Sequence, residues 1–219
     1  MPTIQDIPYT NAEDLNKYLY DEFYSTEMIE YVATNQAGVI PKIFELEINT
    51  NSISNSLAQI FYNNNYFNPV YGEAVWKLRV NSMKDCFAFF GFKETTAEPT
   101  YNMTESHSGY MIYNGKLYAS VADGNTQQRV EIVGIDMTRV ENYKIAYNKF
   151  SIQPLPVVEE ELGLPTIYSV DRTWKEMTML SVNPPENMVH YIVVSIKNST
   201  NEAKYIKLNR FIYKEVYAD

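Results

Sequence analysis

Apolar and polar residues alternate with a period of two along most of this chain, beginning near residue 43. Phe44, Leu46 and Ile48 share one face and Glu45 and Glu47 the other, which is the pattern of a half-buried strand. Trp76, Leu78 and Val80 repeat it, and the run 86–92 (Cys-Phe-Ala-Phe-Phe-Gly-Phe) is apolar throughout, as expected of a strand covered on both faces. Gly91 inside that run suggests a bulge or a close backbone approach. The sharpest local signal is Asn114-Gly115 between Tyr110-Met111-Ile112-Tyr113 and Lys116-Leu117-Tyr118-Ala119. Asn-Gly accepts the positive φ angles of a type I′ turn, so the spacing predicts a hairpin. Further strands are expected over 129–133, 143–147, 177–182, 189–196 and 205–217, with a slip in the alternation at 209–211 that fits a bulge. The expected core holds Trp76, Leu78, Phe89, Ile112, Leu117, Ile132, Ile145, Val193 and Ile206.

Two stretches depart from this period. Thr10-Asn11-Ala12-Glu13 fits a capping box, and Leu15, Tyr18, Leu19 and Phe23 follow as an apolar stripe, so a short amphipathic helix is expected there. A second short helix is expected over 27–33. Residues 1–40 therefore read as an N-terminal arm with short helices, and 41–219 as one β-sandwich domain. Pro154, Pro156 and Pro165 around Glu159, Glu160 and Glu161 mark an exposed acidic loop, and the segment 49–69 has no clear period.

Composition narrows the possible functions. The 219 residues include 19 Tyr and 10 Phe, residue types that suit pleated, half-buried surfaces. The net charge of −9 opposes binding to nucleic acid, which gains affinity from Lys and Arg on phosphates. The single cysteine, Cys86, lies in an apolar run and reads as an inert core residue. No run approaches the length of a membrane span. No secretory signal opens the sequence, so the expected location is a virion or an extracellular surface reached without a cleaved signal, with the cytoplasm as the alternative.

The order of the 75–92 run, the hairpin 109–119, the segment Glu131-Ile132-Val133-Gly134-Ile135-Asp136 and the strand 143–147 is similar to the middle of concanavalin A-like lectin and glucanase jelly rolls. The resemblance implies an all-β, two-sheet antiparallel jelly-roll sandwich, here with a short helical N-terminal extension. It also implies a glycan-binding or glycoside-active protein, although a fold carries function only through its site. The retaining glucanases of that family carry Glu-x-Asp-x-x-Glu on a strand, and that motif is missing here.

Glu45 and Glu47 are the one carboxylate pair at strand spacing that could reach the separation of about 5 Å a retaining pair needs, yet alternation alone accounts for them. His107, expected in a polar loop, and His190, opening an apolar strand, lack partners at zinc-ligand spacing, and Ser106-His107-Ser108 is no triad. Asp123-Gly124-Asn125 has calcium-ligand residue types, but a turn uses the same residues. No catalytic residue, metal or cofactor is expected. The candidate ligand or partner contacts are Asp123, Asn125, Leu15, Leu19 and Phe23, and Asn102 and Asn198 stand in glycosylation sequons. The functional expectation is a non-catalytic structural or interaction protein. It would be a virion component that assembles with copies of itself or other structural proteins, or a glycan-binding module. The alternative is a glycoside-active enzyme with divergent acids.

Overall fold

A computed structural model describes residues 18–21, 31–34, 38–42, 45–62, 67–70, 72–146, 149–154, 175–185 and 188–215. It is an all-β, two-sheet antiparallel jelly-roll sandwich. Strands β1 (Tyr18–Asp21), β3 (Val39–Lys42), β4 (Glu45–Asn49), β6 (Gly72–Val80), β11 (Glu141–Ala146), β12 (Lys149–Pro154), β13 (Lys175–Met179) and β15 (Tyr205–Glu215) form an eight-stranded sheet. Its order is β13-β12-β11-β6-β15-β4-β3, with β1 paired to the far half of β15. Strands β2 (Tyr31–Thr34), β5 (Leu57–Tyr62), β7 (Cys86–Lys93), β8 (His107–Tyr113), β9 (Lys116–Ala122), β10 (Gln127–Ile132) and β14 (Tyr191–Asn198) form the other sheet, in the order β10-β9-β8-β7-β14-β5-β2.

The core between the sheets comes from alternate positions of both. Trp76 and Leu78 on β6, Phe211 and Tyr213 on β15 and Tyr143 and Ile145 on β11 meet Phe90 and Phe92 on β7, Tyr110 and Ile112 on β8, and Leu117 on β9. Tyr110 lies within this apolar layer because its hydroxyl donates to the Lys144 carbonyl at 2.9 Å and to the Ser151 carbonyl at 3.0 Å, so its buried polar end is satisfied. Every residue expected in the core is buried, but Phe89 and Val193 belong to a second cluster. With Met103 and Met111 they pack on the outer face of the seven-stranded sheet. This is why the run from Cys86 reads apolar on both faces.

The hairpin forms as the Asn-Gly pair requires, with Asn114 at φ 49° and Gly115 at φ 77°. The β8 and β9 strands pair in unbroken register from His107 opposite Ala122 to Tyr113 opposite Lys116. A β-branched residue in the left-handed region is strained, so Gly115→Val should lose about 1–2 kcal/mol. Urea unfolding measures it, and an unchanged midpoint would mean that the turn tolerates a different backbone. Gly91 makes a close approach to the Gly109 and Ser108 backbone with no register break, while the bulge expected near Asn209 falls between Leu208 and Arg210.

The N-terminal expectation requires correction. Where the helical stripe was expected, Tyr18–Asp21 is a strand with Leu19 opposite Tyr213. Where the second helix was expected, Tyr31–Thr34 is a strand paired with β5. A spacing of four residues puts Leu15, Leu19 and Phe23 on one helical stripe, but an even spacing also puts them on one face of a strand. The available edges of β15 and β5 decide between the two. The capping box at residues 10–13, Leu15, Phe23 and the acidic loop around 159–161 lie outside the described residues.

Candidate functional site

Residues 94–106, between β7 and β8, form a strap over the outer face of the seven-stranded sheet. Gln59 of β5 donates to the Thr96 carbonyl at 2.7 Å, and Lys197 of β14 pairs with Glu98 at 2.7 Å. Met103 enters the cluster of Phe89, Met111 and Val193. Tyr101 stacks on Tyr113 with ring centroids 4.1 Å apart, and the Arg129 guanidinium of β10 lies 3.7 Å from the centre of its ring. Arg129 also donates to the Tyr101 carbonyl and to Asn102 Oδ1. These anchors reach from β5 to β10, nearly the full width of the sheet.

Both ends of the strap are pinned by buried ionisable groups. Lys93, at the end of β7, extends its ammonium to Glu105 at 2.5 Å and to the Thr95 hydroxyl at 3.0 Å. The other Glu105 oxygen accepts from the Thr95 N–H at 2.7 Å. Burial lowers the Lys93 pKa against the support of Glu105. Burial would raise Glu105, but its bonds from Lys93 and Thr95 outweigh that and hold it below the usual carboxylate value.

His107 is not in a loop but opens β8 beneath the strap. Its Nδ1 donates to the Glu105 carbonyl at 2.7 Å, which leaves Nε2 to accept from the Ser120 hydroxyl at 2.8 Å. Gln127 in turn donates to Ser120 Oγ at 3.1 Å. His190 Nε2 lies 2.8 Å from Ser106 Oγ. Burial pushes both imidazoles down to about 4. A serine–histidine contact is the beginning of a nucleophilic site, but Ser106, His107, Ser120 and His190 are all 0% exposed. Covered in this way, they tie the strap to the sheet. Neither pair is visible from spacing along the chain, because the partners lie 13 and 84 residues apart.

The other candidates resolve into turns and ion pairs. Asp123 Oδ1 accepts from the N–H groups of Asn125 and Thr126 at 2.8 and 2.7 Å, closing the β9–β10 turn, and those bonds lower its pKa. Glu47 takes Lys42 at 2.6 Å and Lys207 at 3.6 Å, and Glu45 takes Lys207 at 2.8 Å. The Lys42 hydrogen bond leads in holding Glu47 below the usual carboxylate value. Asn198 is buried, with its amide donating to the Asn51 and Glu202 carbonyls, whereas Asn102 is exposed. Cys86 is buried and its thiol is pushed up to about 11, as an inert core residue requires. Among the described residues no group of three or more His, Cys, Asp or Glu could hold a metal ion, and no helix is long and apolar enough to cross a membrane.

The outer face of the eight-stranded sheet is strongly polar. One cross-strand row runs Gln153, Asn142, Lys77, Arg210 over β12, β11, β6 and β15, and the next runs Arg79, Lys207, Glu47 over β6, β15 and β4. Arg210 donates to Asn142 Oδ1 at 3.2 Å, and Asn142 lies 3.4 Å from Gln153 Oε1. Lys77, Arg79, Lys207 and Arg210 are half-buried.

No protein-family model and no curated protein matches the chain. Solved structures do match. A prokaryotic β-1,3-1,4-glucanase (lichenase) from a mouse hindgut metagenome superposes with a TM-score of 0.62 at 9% identity, over 91% of this chain and 99% of that one. The Bacillus licheniformis β-glucanase gives 0.62 at 12% identity, over 90% and 98%. The Emp47p carbohydrate recognition domain gives 0.60 at 12% identity, over 95% and 100%. The chain therefore has the concanavalin A-like jelly-roll fold, which enzymes and lectin domains both use. At such identities the likeness shows the fold alone.

Proposed function

We propose that the protein is a non-catalytic glycan-binding module. The observation that carries the first half of this reading is the state of Glu45 and Glu47. A glycosidase pair needs one carboxyl held protonated as the acid, and here lysines bond to both groups while Glu47 is pushed toward the ionised form. The second half rests on the outer face of the eight-stranded sheet, where the half-buried Gln153 amide stands in one row with the half-buried cations of β6 and β15, across the buried Asn142. Such planar donors and acceptors suit a hydroxyl-rich ligand. The fold neighbours, which include a carbohydrate recognition domain and glucanases, are consistent with this reading. They lend no support to a virion role, and assembly with copies of itself or with other structural proteins rests on the sequence alone.

Calorimetry against a panel of soluble polysaccharides, with a reducing-sugar assay on the same mixtures, tests the proposal. Binding without release of reducing ends is the expected result. Turnover that disappears in Glu45→Gln or Glu47→Gln would put an enzyme in place of a binding module.

A further inference from the structure

From the charge pattern on the eight-stranded sheet we infer that its outer face binds an anionic polysaccharide, recognising carboxylate or sulfate groups spaced along the chain. This rests on the glycan-binding reading and names the class of glycan. In the cross-strand register Arg79 stands opposite Lys207, and Lys77 stands opposite Arg210. Like charges directly opposite on one face of a sheet repel, and here two such pairs sit in neighbouring rows. The arrangement is unusual for a protein with a net charge of −9, in which carboxylates are plentiful. Glu45 and Glu47 are placed where they neutralise Lys207 and Lys42. Among the described residues no ion pair reaches Lys77, Arg79 or Arg210. Among the described residues the neutral Asn142 oxygen is the one hydrogen-bond partner of Arg210, whose Nε is buried without one.

Partial burial strengthens what these cations can do. Charges that are half out of water are screened less than fully solvated ones, so an approaching anion meets a stronger local field than the overall acidity suggests. That acidity acts at longer range, where a Debye length of about 8 Å at physiological salt removes most of it. A guanidinium offers a planar fork to a carboxylate or sulfate, and the half-buried Gln153 amide at the end of the same row can take an adjoining hydroxyl, with the buried Asn142 holding Arg210 between them. Duplex nucleic acid is the less suitable polyanion, because its denser charge would also meet the carboxylates of Glu45, Glu47 and Glu73 that border the patch.

The test compares heparin, polygalacturonate and the neutral glucan laminarin by calorimetry on the full chain. An acidic glycan should bind more tightly than laminarin, and its affinity should fall about 10- to 40-fold between about 50 and 200 mM salt if two or three contacts release counterions. Heparin and polygalacturonate separate a sulfate preference from a carboxylate preference. The combined variant Lys77→Gln, Arg79→Gln, Arg210→Gln should lose at least about tenfold in that affinity, because three charge-assisted contacts go, without a lower melting temperature. Unchanged affinity in a folded variant overturns the inference. Should the variant not fold, the wild-type salt dependence decides, and salt-insensitive binding overturns it. Duplex DNA competing as well as heparin overturns the glycan class. Laminarin bound as tightly as the acidic glycans sinks this inference alone, whereas no binding to any of the three sinks it together with glycan binding itself.

Discussion

Replacing Trp76 with alanine should destabilise the sandwich by about 3–5 kcal/mol, lowering the melting temperature by roughly 10 °C for a chain of this size. Trp76 projects from the centre of β6 and is 0% exposed. Its ring meets Phe211 of its own sheet at 5.3 Å and Phe90 and Phe92 of the opposite sheet at 5.9 and 5.8 Å. The side chain therefore joins the two sheets, and truncation leaves a cavity against strands that cannot collapse without breaking register. One term works the other way. The indole Nε1 is buried without a hydrogen-bond partner, and removing an unsatisfied donor returns about 1–3 kcal/mol. Trp76→Phe keeps much of the ring contact and deletes that donor, so it should cost far less than Trp76→Ala. Equilibrium urea unfolding of both variants checks the pair, and equal losses would mean that ring packing is not what Trp76 contributes.

What the sequence made legible follows from what alternation encodes. A period of two reports which positions face inward, so alternation alone places Trp76, Leu78, Ile112, Leu117, Ile132, Ile145 and Ile206 in the interior, where all of them are buried. It does not report what lies on the other side of the sheet. Phe89 and Val193 were readable as buried, but not as buried beneath a strap, because Met103 and Tyr101 sit in a segment whose composition is that of a loop. At the N-terminus the helix expectation failed for a different reason. Even spacing fits a helical stripe and a strand face alike, and the strand partners are supplied by β5 and by β15, near the other end of the chain.

The polar site was less legible still. Each histidine was visible as a residue type, and neither partner could be inferred. Ser120 enters β8's neighbourhood through the hairpin register, and Ser106 reaches His190 through the docking of the strap. The cationic face was masked by charge averaging. Residues 197–210 carry Lys197, Lys204, Lys207 and Arg210 at odd and even positions alike, and nothing in that run shows that β6 sets Lys77 and Arg79 opposite Arg210 and Lys207.

Acid should undo the strap, and the pH at which stability is lost identifies the histidines. His107 and His190 have folded pKa values of about 4, against 6.5 for the free side chain. The unfolded chain therefore takes up protons at both sites as the pH falls below 6.5, while the folded protein refuses them until about 4. Stability tied to these groups is complete above pH 6.5 and drains away between 6.5 and 4, by about 3 kcal/mol per histidine at 1.36 kcal/mol per unit. The physical cost is the burial of an imidazolium, since His107 already donates through Nδ1 and the Ser120 hydroxyl could turn to accept from Nε2. The carboxylates act lower on the pH scale. Glu105 and Glu47 are held below 4.5 by their lysines, so their contribution is present above 4.5 and is lost as the pH falls beneath it. Urea midpoints measured from pH 8 to pH 4 should thus fall mainly below pH 6.5. In His107→Gln, His190→Gln, whose amides can still bond to the serines, the curve should stay nearly flat down to about pH 4.5 and drop only below it. A wild-type curve that is flat from 6.5 to 4.5, or a double variant that still slopes there, would mean that these imidazoles are not sealed from water by the strap.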